Sequence, residues 1–362
     1  MTQWVADIIR KPEVTAIPVM THPGIEQNGH TVRQAVSDGR IHYEAVMTLA
    51  RQFPSAAACT IMDLTVEAEA FGAQIAFSDD AVPAVAGRLL NDADDIRQLQ
   101  VPSLKAARIP QYLKANLLAA KAIAQRSTPN VQRSTVNFHC NATLSKRELS
   151  TFNFQRPLFA GCIGPFSLAG RLYDMSDIMV LIYEDPETAH VLLDKCTQFI
   201  LKYCQALKLT GANGVMMAEP AAGLLSNDDC LRFSSQYVKR IVDSVQDDSF
   251  IVVLHNCGNQ GHCTHAMVAT GAAAYHFGNK CRMADVIRDV PPTALAMGNL
   301  DPVSLFKDGT PERMRQATLD LLQEMRPYPN FVLSSGCDTP PHTPMENINA
   351  CFEALHDWNH EL

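Results

Sequence analysis

The sequence predicts an α/β fold closed as a (β/α)8 TIM barrel with an N-terminal helical elaboration. Eight short apolar runs rich in small and β-branched residues recur along the chain, and most are separated by stretches of helical period. Apolar strands that alternate with helices imply a parallel sheet covered on its outer face, and eight such units are the number that closes on itself. A length of 362 residues suits one barrel with insertions, so residues 1–362 are read as a single domain.

The first strand is placed at "AIPVM" (16–20) and delivers Thr21 and His22 to its C-terminal end. The second, "AAACTIMDL" (56–64), ends near Asp63. From about 90 to 155 the chain is charged, helical in pattern and poor in strands, and is placed as a helical insertion. The third strand, "LFAGCIG" (158–164), runs into Gly164 and Ser167, where "GPFSLAG" sets Gly164 and Pro165 ahead of a helix whose free N–H groups can take an anion. The clearest helix follows: Asp185 suits the cap, Pro186 the first position, and Gly211 the stop. The fourth strand, "GVMMAEP" (214–220), ends at Glu219, and the fifth, "FIVVLHNCG" (250–258), at His255 and Cys257. The sixth, "AAAYHFG" (272–278), leads to His276 and Asn279. The seventh, "TALAMGNL" (293–300), leads to Asn299 and to Asp301, which can cap a helix starting at Pro302. The eighth, "FVLSSGC" (331–337), ends at Cys337, and "HTPMEN" after it reads as a capping box with Thr343 as cap, Pro344 first and Glu346 third.

Composition removes several classes of function. The formal charge is −8 with no basic block, which argues against nucleic-acid binding. No apolar run approaches the roughly 20 residues that span a bilayer, and "MTQWVADIIRKPEV" has no apolar leader segment, so a cytoplasmic location is expected. Eleven cysteines without a leader point to reduced thiols, and Cys59, Cys140, Cys162, Cys196, Cys204, Cys230 and Cys351 are read as core residues.

Barrel enzymes place their chemistry at the C-terminal ends of the strands. His255 and Cys257 are two apart, which aims both side chains to one side, and Cys337 closes the last strand on a neighbouring stretch of wall. One imidazole and two thiolates form a zinc set, and three protein ligands leave a fourth position open, the pattern of catalytic zinc. Two other readings stand beside this one: a compact knuckle made from Cys257, His262, Cys263 and His265, and ordinary packing with no metal. Glu219, Asn279, His276 and Cys281 are candidates for an extra ligand, and Glu219 also for a proton acceptor. His22, Asp63, Gly164, Ser167, Asn299 and Asp301 are candidate substrate or cofactor contacts.

"HNCG" (255–258), "GNLDP" (298–302) and "SSGCDTPPHTPMENI" (334–348), with "GPFSLAGRL" (164–172) upstream, resemble the uroporphyrinogen decarboxylase superfamily. The resemblance is stronger to its corrinoid-dependent branch, the methylcobamide:coenzyme M methyltransferases, where "DLTVEAEAFG" (63–72) also fits. It implies zinc on His255, Cys257 and Cys337, and a thiol acceptor such as coenzyme M. It also implies a methyl-corrinoid co-substrate on a small corrinoid protein, and a homodimer is considered. The chain departs from the decarboxylases after the first strand, where "VMTHPGIEQ" replaces an Arg-Gln-Ala-Gly-Arg stretch that grips substrate carboxylates, and at Cys337, where they have a histidine. It departs from the methyltransferase branch at Asn279, where an acidic residue is frequent. A decarboxylase and a non-catalytic corrinoid- or metal-binding protein remain as alternatives.

Overall fold

A computed structural model of the chain describes residues 1–126 and 156–360. Eight strands form one sheet: β1 (Thr15–Ala16), β2 (Ala58–Cys59), β3 (Leu158–Ile163), β4 (Gly214–Ala218), β5 (Ile251–Asn256), β6 (Ala274–Phe277), β7 (Leu295–Leu300) and β8 (Phe331–Ser335). Their order is β1-β8-β7-β6-β5-β4-β3-β2, and each neighbouring pair is parallel. The edge strands meet through the Ala56 N–H, which donates to the Ala16 carbonyl at 2.9 Å. The fold is the expected (β/α)8 barrel.

Strand alternation sorts the side chains. Ile251 and Val253 of β5 pack inside with Ile17, Val19, Phe159, Met216, Ala274, Leu295, Met297 and Val332, whereas Val252, Leu254, Tyr275 and Phe277 join the core outside the sheet. The N-terminal helix Thr2–Arg10 packs Val5 and Ile8 against this inner cluster, and Trp4 meets Phe159 edge-on at 5.7 Å.

Six strands fall where the apolar runs predict, but β1 and β2 are shorter than expected. Pro18 has no N–H to extend the ladder from β1. Beside β2 the Thr60 hydroxyl, not a backbone carbonyl, accepts from the Gly161 N–H at 3.2 Å. The helix Pro186–Leu209 begins and ends as predicted: Asp185 accepts from the Thr188 N–H at 3.1 Å, and Gly211 adopts φ +94°. The 90–155 segment contains helices Ala93–Gln98 and Ile109–Arg126; its remainder, 127–155, lies outside the described residues together with Cys140. A short hairpin, Ile75–Ala76 with Ala84–Val85, was not foreseen. Cys162, Cys196, Cys204, Cys230 and Cys351 are buried as expected, and Cys59 partly so. No helix among the described residues is long and apolar enough to cross a membrane.

Candidate metal centre

Alternation in β5 puts His255 one step above Val253, at the C-terminal end of the barrel lumen. His276 of β6 is its direct register partner and stands above Ala274, while Ser334 of β8 stands above Val332. A polar layer therefore lies on an apolar floor. His255 Nδ1 is 2.6 Å from His276 Nδ1, His276 Nε2 is 2.8 Å from Ser334 Oγ, and Ser334 Oγ–H donates to the Ile17 carbonyl at 2.7 Å.

Above this layer the Cys337 Sγ lies 3.7 Å from His255 Nε2. One ligand atom each from His255, Cys257 and Cys337 can be chosen with all three within 4.8 Å of one another. Zinc bonds of about 2.0–2.3 Å in a tetrahedron set ligands about 3.4–3.8 Å apart, so the donors need to close by only about 1 Å. The donor set suits zinc by both softness and spacing. His255 is buried and the two cysteines are partly exposed, so the cluster opens outward. A hydrogen bond from the Cys337 thiol holds the Cys257 thiol down at about 7 and pushes Cys337 above the usual thiol range.

The loops carrying the cysteines are tightly seated. The Asn256 side chain accepts from the N–H groups of Gly258 and Asn259, both at 3.0 Å, which turns the chain at Cys257. Gly258 is required by close approach: a Cβ there would stand 2.3 Å from the Pro220 carbonyl oxygen. Gly278 lies against the Cys257 backbone, and Gly336 against that of Asn279, in the same way.

The other candidates are engaged elsewhere. The Glu219 carboxylate accepts from the N–H groups of Phe166 and Ser167 at 2.7 and 2.8 Å and from the Ser234 hydroxyl at 3.2 Å. It thus fills the helix N-terminus that the sequence suggested for an external anion. Gly164 is glycine because a Cβ would meet this carboxylate at 2.5 Å, and the Ser167 hydroxyl accepts from the Ala221 N–H. Asp63 accepts from the Thr65 N–H and hydroxyl, from Tyr112 and from Arg108, a buried network rather than a contact waiting for substrate.

Asn279 donates to Asp301, and Asp301 caps the helix at Pro302 through the N–H groups of Val303 and Ser304. Asn299 donates to the carbonyls of Gly278 and Cys281, and Cys281 to that of Gly278. None of these joins the cluster as a fourth ligand, and His276 has both ring nitrogens hydrogen-bonded. The local knuckle does not form: the Cys263 thiol donates to the Leu225 carbonyl and His262 Nε2 meets the same oxygen, away from Cys257. His22 bonds the Thr339 carbonyl through Nδ1 and sits beside Asp338, one residue past Cys337.

Sequence reading missed Ser334 and Asp338. The signal for Ser334 was present, a hydroxyl at an inward position of an otherwise apolar strand. Asp338 lies inside the 334–348 motif, but no role was assigned to it; it accepts from the Thr21 N–H and hydroxyl.

The profile described as Uroporphyrinogen decarboxylase (URO-D) matches residues 5–358. The chain belongs to the uroporphyrinogen decarboxylase family. Among curated relatives, "Methylcobamide:CoM methyltransferase MtbA" of Methanosarcina acetivorans is 26% identical over 301 residues, covering 82% of this chain and 78% of that protein. The uroporphyrinogen decarboxylase of Pseudoalteromonas translucida is 29% identical over 212 residues, covering 56% of this chain and 59% of that one. Among solved structures, a methyltransferase from Methanosarcina mazei superposes with a TM-score of 0.81 at 20% identity, covering 98% of this chain and 97% of that one, a likeness of fold. The family and its corrinoid-dependent branch are thus those that the strand-end motifs resemble. As a member of this enzyme family, with methyltransferases among its relatives, the chain is an enzyme for which methyl transfer is supported.

Proposed function

We propose that this chain moves a methyl group from a methyl-corrinoid, carried on a separate small protein, to a thiol such as coenzyme M or a related thiol, with zinc held by His255, Cys257 and Cys337. The observation that carries the reading is the convergence of one imidazole and two cysteine sulfurs at an outward-opening barrel end. Similarity to methylcobamide:CoM methyltransferases over most of the chain supports the methyl-corrinoid as donor.

When bound, zinc supplies the Lewis acidity that holds a thiol sulfur deprotonated at neutral pH. The chain's own residues do the rest. His255 is a neutral donor and the two cysteines are anionic donors, a set rich enough in electrons to leave a substrate sulfur nucleophilic. Val253, Ala274 and Met297 below them close the lumen with apolar surface and direct approach to the outer side. There the sulfur attacks the methyl carbon: the S–C bond forms, the C–Co bond breaks with its electron pair left on cobalt, and the thiol proton passes to solvent.

Decarboxylation of a porphyrin-like acid is the weaker reading. No arginine or lysine stands between residues 16 and 32 to clamp substrate carboxylates, and Thr21 and His22 are engaged with Asp338 and Thr339.

The test is turnover of methylcobalamin with a panel of thiols, followed by the cobalamin spectrum and by mass spectrometry of the S-methyl product. Thiol-dependent demethylation that is lost in Cys257→Ala is the expected result. Zinc binding without turnover for any thiol would leave a non-catalytic binding protein, and decarboxylation of a porphyrinogen by the zinc-free chain would favour the other branch.

A further inference from the structure

We infer that His276 is a positioning residue: with Ser334 behind it, it fixes His255 in the tautomer whose Nε2 lone pair faces the two cysteines. The inference rests on the reading of the His255–Cys257–Cys337 cluster as a zinc centre.

One chain of hydrogen bonds, from the Ile17 carbonyl through Ser334 and His276 to His255, fixes where the protons lie. A backbone carbonyl can only accept, so the 2.7 Å contact between Ser334 Oγ and the Ile17 oxygen uses the Ser334 hydroxyl proton. The Ser334 oxygen must then accept in its second contact, and the proton in the 2.8 Å bond to His276 belongs to His276 Nε2. His276 is 0% exposed, an environment that disfavours a cationic ring, so one proton is its complement and Nδ1 is bare. Two bare nitrogens do not approach to 2.6 Å, so the proton between His276 Nδ1 and His255 Nδ1 is carried by His255. His255 Nε2 is left as a lone pair, and it is this nitrogen that lies 3.7 Å from the Cys337 sulfur.

Reversing the chain would put a proton on Nε2 and close that nitrogen to a metal. A metal-bound imidazole usually has a carboxylate, carbonyl or water behind its other nitrogen. Here that place is taken by a second imidazole, whose polarity is set by a hydroxyl on β8 and by the Ile17 carbonyl just past β1. The geometry is held by the sheet: His255 and His276 are register partners on β5 and β6, and Ser334 lies on β8, which pairs with β1 just before Ile17.

The test is zinc affinity by competition with a chromophoric chelator, for wild type, His276→Leu, His276→Asn and Ser334→Ala. The melting temperature of each zinc-free protein is measured alongside. His276→Leu should weaken zinc binding by about 10–100-fold, the usual effect of removing such a partner. His276→Asn, whose side-chain oxygen can stand near the Nδ1 position and accept from His255, should recover most of the loss, and Ser334→Ala should fall between them. A purely structural role would instead make affinity track melting temperature, without rescue by Asn. Because a variant can fail to fold, nitrogen-15 NMR of the histidine rings in the zinc-free wild type gives a second reading: His255 should carry its proton on Nδ1.

Wild-type affinity in His276→Leu, or a His255 proton on Nε2, overturns the inference while leaving the metal centre standing. Absence of zinc from the wild type overturns the metal centre, and the inference with it.

Discussion

The three proposed ligands could be read from the sequence because their placement needs only two facts, the period of a strand and the end of a barrel at which strands finish. His255 and Cys257 satisfy both within one strand end, and Cys337 does so on another. Asp63, Glu219, Asn299 and Asp301 were ambiguous for the opposite reason. A polar residue at a strand end suits a substrate contact or a cap equally well, and its partner decides between them. For Asp63 the partner is Arg108, 45 positions away. Arg108 also pairs with Glu69 and bonds Thr65, and its side chain is 8% exposed. Arg108→Leu strands two carboxylates and should cost about 3–5 kcal/mol, measured by urea unfolding; a change within 1 kcal/mol would mean the network contributes little.

Glu67 is a second buried carboxylate. One of its oxygens accepts from the Ile163 N–H, the other has no partner among the described residues, and burial raises its pKa to about 7. An acid raised on folding costs stability as pH climbs from its unfolded pKa, about 4.3, through its folded one. Wild type should therefore lose on the order of 2–3 kcal/mol over that window relative to Glu67→Gln. Unfolding curves at pH 4.5 and pH 8 check this, and equal differences between the two proteins at both pH values would contradict it.

At the scale of elements, apolar runs located the strands, but not where the ladders stop. That depends on Pro18, whose missing N–H shows in the sequence, and on the Thr60 hydroxyl, whose role in the ladder does not. The helix after Cys337 makes the same point. Thr343 looks like its cap, yet the Thr343 hydroxyl donates to the Pro340 carbonyl, and the helix starts at Met345 without the capping box. The turn at Pro341–His342, where His342 adopts φ +64°, folds the chain back so that this hydroxyl reaches the carbonyl. Close approaches are likewise hidden until the elements pack. Gly258 reads as an ordinary turn glycine, but its tolerance is set by the Pro220 oxygen on the preceding strand's loop. Gly258→Ala should cost about 1–3 kcal/mol and shift the Cys257 loop. Zinc affinity should then fall more than it does in Gly271→Ala, a glycine with φ +72° and open space around it. Equal affinities in the two variants would show that the loop absorbs the extra carbon.

At the scale of the whole molecule, the barrel was the most legible feature because it is written redundantly, in eight runs and the helices between them. The assembly of the centre was less so. Closure of the sheet brings β8 beside β1 and sets Ser334 against Ile17 and His276, a meeting of residues 317 and 58 positions apart. The same closure brings Cys337 to His255 across 82 positions. The most direct test is therefore the metal content of protein purified without added zinc, wild type beside Cys337→Ser, with circular dichroism to show that both are folded. The expected result is about one zinc per chain in the wild type, lost or sharply weakened in the variant. No zinc in the wild type even after reconstitution, or full retention in folded Cys337→Ser, would contradict it.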